Sequence, residues 1–135
     1  MPNESPVASR EVLGPVELGP IAHGGHCVAR VDGRVVFVRH GIPGERVMLR
    51  VTDASKPRFW WGEVARVLDA SPDRVVPPCP IAGRCGGCDF QHVALPRQRE
   101  LKAQVVAEQL RRLARIEWPV VVEPVPGDVD GLDYR

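Results

Sequence analysis

The chain has 135 residues, 44% hydrophobic and 26% charged, with a formal net charge of +1. That length suits one ordinary core, or one small barrel with an appendage, and leaves little room for a complete catalytic domain. The longest apolar stretches, Val35 to Val38 and Pro119 to Val122, are too short to span a bilayer, and the N-terminus has no apolar run behind a basic start; a soluble, cytoplasmic, monomeric protein is expected.

The near-zero net charge hides an uneven distribution. Residues 27–66 carry eight cations against four anions, and residues 96–116 carry six against two, so each segment is +4. The ends are acidic. Two basic segments in a near-neutral chain suggest a polyanionic partner, although solvated surface arginines give the same count.

Residues 1–10 are polar and aperiodic and read as a disordered leader. From residue 11 to about residue 70 the pattern is one of short strands. Glu11 to Leu18 is a strand with a Gly-Pro break, and Cys27 to Val31 and Arg34 to Val38 flank Asp32-Gly33, a turn pair that favours a hairpin. Glu45 to Thr52 alternates, with Val47, Leu49 and Val51 on one face, and Phe59 to Leu68 alternates with Trp60, Gly62, Val64 and Arg66 together. Short antiparallel strands with tight turns and no helix predict a small closed barrel of the OB type, with an SH3-like barrel as the alternative. Residues 71–116 follow as a proline-stiffened linker (PDRVVPP), a cysteine segment, and a helix over Pro96 to Ile116 with Leu95, Val106, Leu110 and Leu113 on one stripe. Val120 to Val125 reads as a further strand. The fold class is therefore mainly β, with one α-helix after the cysteine loop.

Cys79, Cys85 and Cys88 form C-x5-C-x2-C, with Gly83, Gly86 and Gly87 between them. Thiolates at that spacing, on a loop flexible enough to wrap an ion, suit zinc or an iron-sulfur cluster; a disulfide with a spare thiol is the alternative, which a cytoplasmic setting disfavours. Four ligands are usual. A fourth is open between Cys27, His92 and a residue past Arg135. Phe59, Trp60 and Trp61 beside Lys56 and Arg58 combine stacking rings with cations, the pattern of a single-strand nucleic-acid groove. Arg30, Arg39 and His40, at strand ends and turns, are further candidate contacts. One tryptophan of the pair is expected in the core, because alternate strand residues face inward. No catalytic residues are read in this chain: neither a phosphate-cradling glycine loop nor a nucleophile with a base stands out.

Four stretches, IAHGGHCVARVDGRVVFVRHGIPGERVMLRV, EVARVLDASPDRVVPPC, the C-x5-C-x2-C ending in GGCDFQH, and ALPRQRELKAQVVAEQL, together resemble the N-terminal part of the TRAM-domain RNA (uracil-5-)methyltransferases. The resemblance implies an OB-like TRAM barrel that binds ribosomal or transfer RNA. It also implies a 4Fe-4S cluster held by Cys79, Cys85 and Cys88 with a fourth ligand past residue 135, and S-adenosylmethionine (SAM) bound only in the parent protein. Residues 117–135 would then be the start of a truncated α/β central domain, and this chain alone would not catalyse. The competing reading is a free-standing RNA-binding barrel with a structural zinc knuckle completed by His92.

Overall fold

The computed structural model describes residues 11–132; the expected leader and the last three residues lie outside them. Five strands form one curled sheet: β1 (Val12–Glu17), β2 (Cys27–Val31), β3 (Arg34–Arg39), β4 (Arg46–Asp53) and β5 (Phe59–Asp69), in the order β1-β4-β5-β3-β2. Just past β1, the Gly19 amide donates to the Val28 carbonyl and the Val28 amide donates to Pro20, so chain leaving one edge strand bonds to the other edge. The result is an OB-like barrel. Three of the four pairings are antiparallel as expected, but β3 and β5 run parallel. They are separated in sequence by β4, and that crossover brings Phe59 and Trp61 beside Val35 and Phe37.

Local sequence explains most of this. Asp32 and Gly33 both have positive φ, 50° and 76°, the backbone a tight two-residue hairpin turn requires. On β4 the inward residues Val47, Leu49 and Val51 are fully buried, and Ala29, Val36 and Val38 face them from the hairpin. β5 departs from its expected phase. Met48 pairs with Arg66 but Leu49 pairs with Val64, so Ala65 sits in β5 as an extra residue at this point. That bulge reverses the alternation beyond it, turning Arg66 outward and Val67 inward against the core.

Behind the barrel, residues 73–75 run beside 92–94: Val75 donates to the His92 carbonyl and Ala94 to that of Asp73. This two-rung neck holds the cysteine loop at its base. Helix α1 spans Leu95–Gln109 and ends in one wide π-type turn, Leu110–Ala114. Its contact face is not the expected stripe. Leu101 is fully buried and Val105 packs beside it, whereas Val106 and Leu113 are exposed. The strand expected over Val120 to Val125 is also absent among the described residues, where that stretch is irregular and mostly exposed. No described helix is long and apolar enough to cross a membrane.

Candidate nucleic-acid interface and cysteine loop

The two tryptophans part company on β5. Trp60 turns inward and packs against the core, with the Arg34 guanidinium 3.9 Å above its ring. Trp61 points out. Its ring lies 5.0 Å from Phe37, tilted by 35°, and 6.2 Å from Phe59, and Phe37 is 5.8 Å from Phe59; both contacts of Phe59 are T-shaped, so three rings form one cluster on the outer face of β3 and β5. His26, at the end of the turn between β1 and β2, adds a fourth ring 4.9 Å from Trp61. Phe37 and His26 were not among the sequence candidates; Phe37's place in β3, out of phase with buried Val36 and Val38, is the signal that marks it as outward.

Lys56 and Arg58 project from the loop leading into β5, both exposed, with the Lys56 ammonium 5.6 Å above Phe59. Among the described residues neither makes a salt bridge. Arg30 is exposed on β2, opposite Val35. Arg39 is placed differently. Its guanidinium donates to Asp89 and to the carbonyls of Cys85 and Cys88, so it grips the cysteine loop. His40 has positive φ, 69°, and a buried Nε2 without a partner among the described residues; burial, then the Arg39 charge, holds its pKa below the ordinary histidine value. The eight candidates thus divide into an open group around Trp61 and a group turned inward or toward the cysteines.

Cys85 and Cys88 are exposed and Cys79 half-buried, all three as free thiols. The Gly87 amide donates to Cys85 Sγ at 3.3 Å. Nothing stands within 4 Å of a side chain built at Gly83 or Gly86. Yet among the described residues no three of His, Cys, Asp and Glu converge as a coordinating group. The donor chemistry suits a soft metal centre, while the thiols as placed do not enclose one. Cys27 is no candidate ligand: it is fully buried, and burial, reinforced by the Glu45 charge, pushes its thiol up to about 12.

A family model for the TRAM domain matches residues 15–64, the stretch that contains β2 to β4, the loop with Lys56 and Arg58, and the aromatic start of β5. Residues 15–64 form a TRAM domain. The chain is 52% identical over 122 residues to an uncharacterized RNA methyltransferase of Streptomyces avermitilis, covering 84% of this chain and 28% of that protein. It is 44% identical over 130 residues to one from Bifidobacterium longum, covering 89% and 30%. A 23S rRNA (uracil(1939)-C(5))-methyltransferase of Shewanella amazonensis is 39% identical over 127 residues, covering 94% and 28%. The chain therefore spans less than a third of the length of these relatives.

The TRAM domain is locked to the cysteine segment by a pair that sequence reasoning missed. The Glu45 carboxylate is fully buried and accepts from Arg74 through both oxygens at 2.7 Å, from the Ile42 amide at 2.8 Å and from the Ser71 amide at 3.1 Å. Arg74 also donates to the His40 carbonyl. Burial raises the Glu45 pKa, but the hydrogen bonds and charge of Arg74 and the two amides outweigh it, holding the carboxyl below the ordinary value. Position 45 continues the inward phase of Val47, Leu49 and Val51, and a carboxylate in core phase was the available clue. His92 is committed likewise: it is buried, and its Nε2 donates to the Gly41 carbonyl at 2.8 Å.

Proposed function

We propose that this chain is the RNA-binding portion of a SAM-dependent RNA uridine C5-methyltransferase acting on ribosomal or transfer RNA in the cytoplasm. The observation that carries the reading is the exposed aromatic and cationic face of the TRAM domain: Trp61, Phe37 and Phe59 with Lys56 and Arg58 at one end. Stacking rings flanked by exposed cations suit unstacked bases on a phosphate backbone. In the parent enzyme, uridine chemistry and SAM binding belong to other segments. This portion supplies grip and orientation, which lowers the entropic cost of presenting one base.

Titration of a labelled single-stranded RNA at several salt concentrations tests the reading. Lys56→Ala with Arg58→Ala is expected to weaken binding and to flatten the salt dependence by roughly 0.7 for each phosphate no longer neutralised. Trp61→Ala is expected to cost about 1–3 kcal/mol of binding, whereas Trp60→Ala lowers stability instead. Unchanged affinity and slope in both surface variants would overturn the proposal.

The same proposal makes Cys79, Cys85 and Cys88 three thiolate ligands of a 4Fe-4S cluster, their spacing and the amide aimed at Cys85 being the support. Full-length protein purified anaerobically is expected to carry iron and sulfide, lost together when any of the three becomes serine. Stoichiometric zinc, unaffected by Cys27→Ser and abolished by His92→Ala, would replace the cluster by a zinc knuckle. The Nε2–H of His92 donates to the Gly41 carbonyl and leaves Nδ1 free to ligate, so the metal content decides between the two readings.

A further inference from the structure

Along β3 and β5 the outward residues form paired rows: Val35 with Phe59, Phe37 with Trp61, and Arg39 with Glu63. The first two rows are the aromatic face. The third is where the barrel meets the cysteine loop, because Arg39 turns its guanidinium onto Asp89 at 3.1 Å and onto the carbonyls of Cys85 and Cys88. From the other side, Gly25 has positive φ (90°), and a side chain built there would stand 3.4 Å from Asp89 Cβ and 3.5 Å from the Phe90 ring. The turn that carries His26 is therefore seated on the cysteine loop. His26 in turn lies edge-on against Trp61. Burial is the main cause that lowers its pKa, ahead of the opposing charges of Asp89 and Arg39, which favours a neutral ring suited to packing on bases.

We propose that His26 is a fourth member of the RNA-contacting aromatic strip, and that the cysteine loop holds it there through Arg39 and Asp89 acting as positioning residues. This rests on the reading of the Trp61 face as a single-strand RNA surface. The strip then runs from Lys56 through Phe59, Phe37 and Trp61 to His26, and its far end is fixed only while residues 85–89 keep their shape. Arg39 serves as a joint and not as a phosphate contact: its side chain is one-quarter exposed and its hydrogen bonds are directed at the loop.

The Asp89 carboxylate makes the test sharp, because the two roles for Arg39 predict opposite signs. If Arg39 is a joint, Asp89→Ala weakens binding of a single-stranded uridine-containing RNA roughly three- to tenfold even though it removes a negative charge. His26→Ala weakens it similarly, and the double variant loses no more than the larger single effect, since both act through one ring. The salt slope stays unchanged in Asp89→Ala. If Arg39 binds phosphate, Asp89→Ala frees it, affinity rises and the slope steepens, which would overturn the proposal; additive losses from His26→Ala and Asp89→Ala would also overturn it. Asp89 is exposed, so its loss leaves the core intact, and Asp89→Glu is expected to restore most of the affinity. The underlying reading is checked separately by Trp61→Ala: if that variant binds normally, the aromatic face itself is refuted, whereas a loss in Trp61→Ala with a gain in Asp89→Ala refutes only the joint.

Discussion

The barrel and the region behind it are built on different principles. In the barrel, alternating side chains from β2, β3 and β4 close a continuous apolar core in which Ala29, Val36, Val38, Val47, Leu49 and Val51 are all buried. Beyond Asp69 the buried side chains thin to Ala82, His92, Val93 and Leu101, while Trp118, Val121, Val125 and Val129 stand exposed. Besides Val93 and Leu101, which join the barrel core, what attaches the second region is a handful of polar joints: Arg74 on Glu45, His92 on Gly41, and Arg39 on the cysteine loop. A strand pattern can specify a barrel by itself, but a loop of glycines and cysteines cannot bury enough apolar surface to order itself. The joints supply that order, so the sharpest tests of the contrast are substitutions that open them.

The largest effect is expected at the Glu45–Arg74 pair. Arg74→Ala leaves a fully buried carboxylate with two amide donors and no counter-charge, a loss of about 3–5 kcal/mol measurable by urea unfolding. A loss no greater than that of an exposed salt bridge would show that the second region is held by packing after all. The pair also dictates an acid response. Because the folded-state pKa of Glu45 is depressed, its contribution is fully present above the unfolded carboxylate value and is lost as pH falls through the folded one. Wild-type stability should therefore drop below roughly pH 4, and Glu45→Gln, already destabilised, should show a shallower drop.

Next comes Leu101→Ala. Leu101 is the one fully buried side chain of α1, so its truncation is expected to cost about 2–5 kcal/mol and to expose the amides of α1 to hydrogen exchange before those of the barrel. Simultaneous exposure of both would mean that helix and barrel unfold as one unit, with no boundary between the two regions.

That boundary also separates what could be read from the sequence. All five strands and the Asp32-Gly33 hairpin follow from period-two alternation and turn chemistry, both carried by neighbouring residues. The bulge that turns Arg66 out and Val67 in is invisible to such reasoning, because it depends on how β5 pairs with β4. For α1 and its π-type last turn, large apolar residues occur at 95, 101, 105, 106, 110 and 113, which allows more than one stripe. Only contact with the barrel selects Leu101 and Val105. In the candidate site, Lys56, Arg58, Phe59 and Trp61 were legible because they are adjacent in sequence. Phe37 and His26 reach them through the parallel β3–β5 pairing and the turn after β1, and Arg39 reaches the cysteines across about fifty residues. Side chains that act as joints look like surface charges until both partners are known.

A smaller effect is expected inside the barrel, at Gly62. A Cβ there would meet the Arg50 carbonyl oxygen at 2.9 Å and the side chains of Leu49 and Val36 at 3.4 Å. Backbone cannot yield as a side-chain end can, so Gly62→Ala should cost about 1–3 kcal/mol, seen as a lower unfolding midpoint at unchanged denaturant slope.

The smallest effect lies on the outer face of the helical region, and it asks whether apolar identity there means anything for folding. Leu113 is 80% exposed although it belongs to the stripe the sequence offers as the contact face. With little apolar surface removed from water on folding, Leu113→Ser should change stability by no more than about 0.5 kcal/mol. Set beside Leu101→Ala in the same helix, the pair measures burial at nearly constant chemistry. If Leu113→Ser instead cost as much as Leu101→Ala, the helix would be seated the other way round, on the face predicted from its periodicity, and the barrel contact made by Leu101 and Val105 would have to be abandoned.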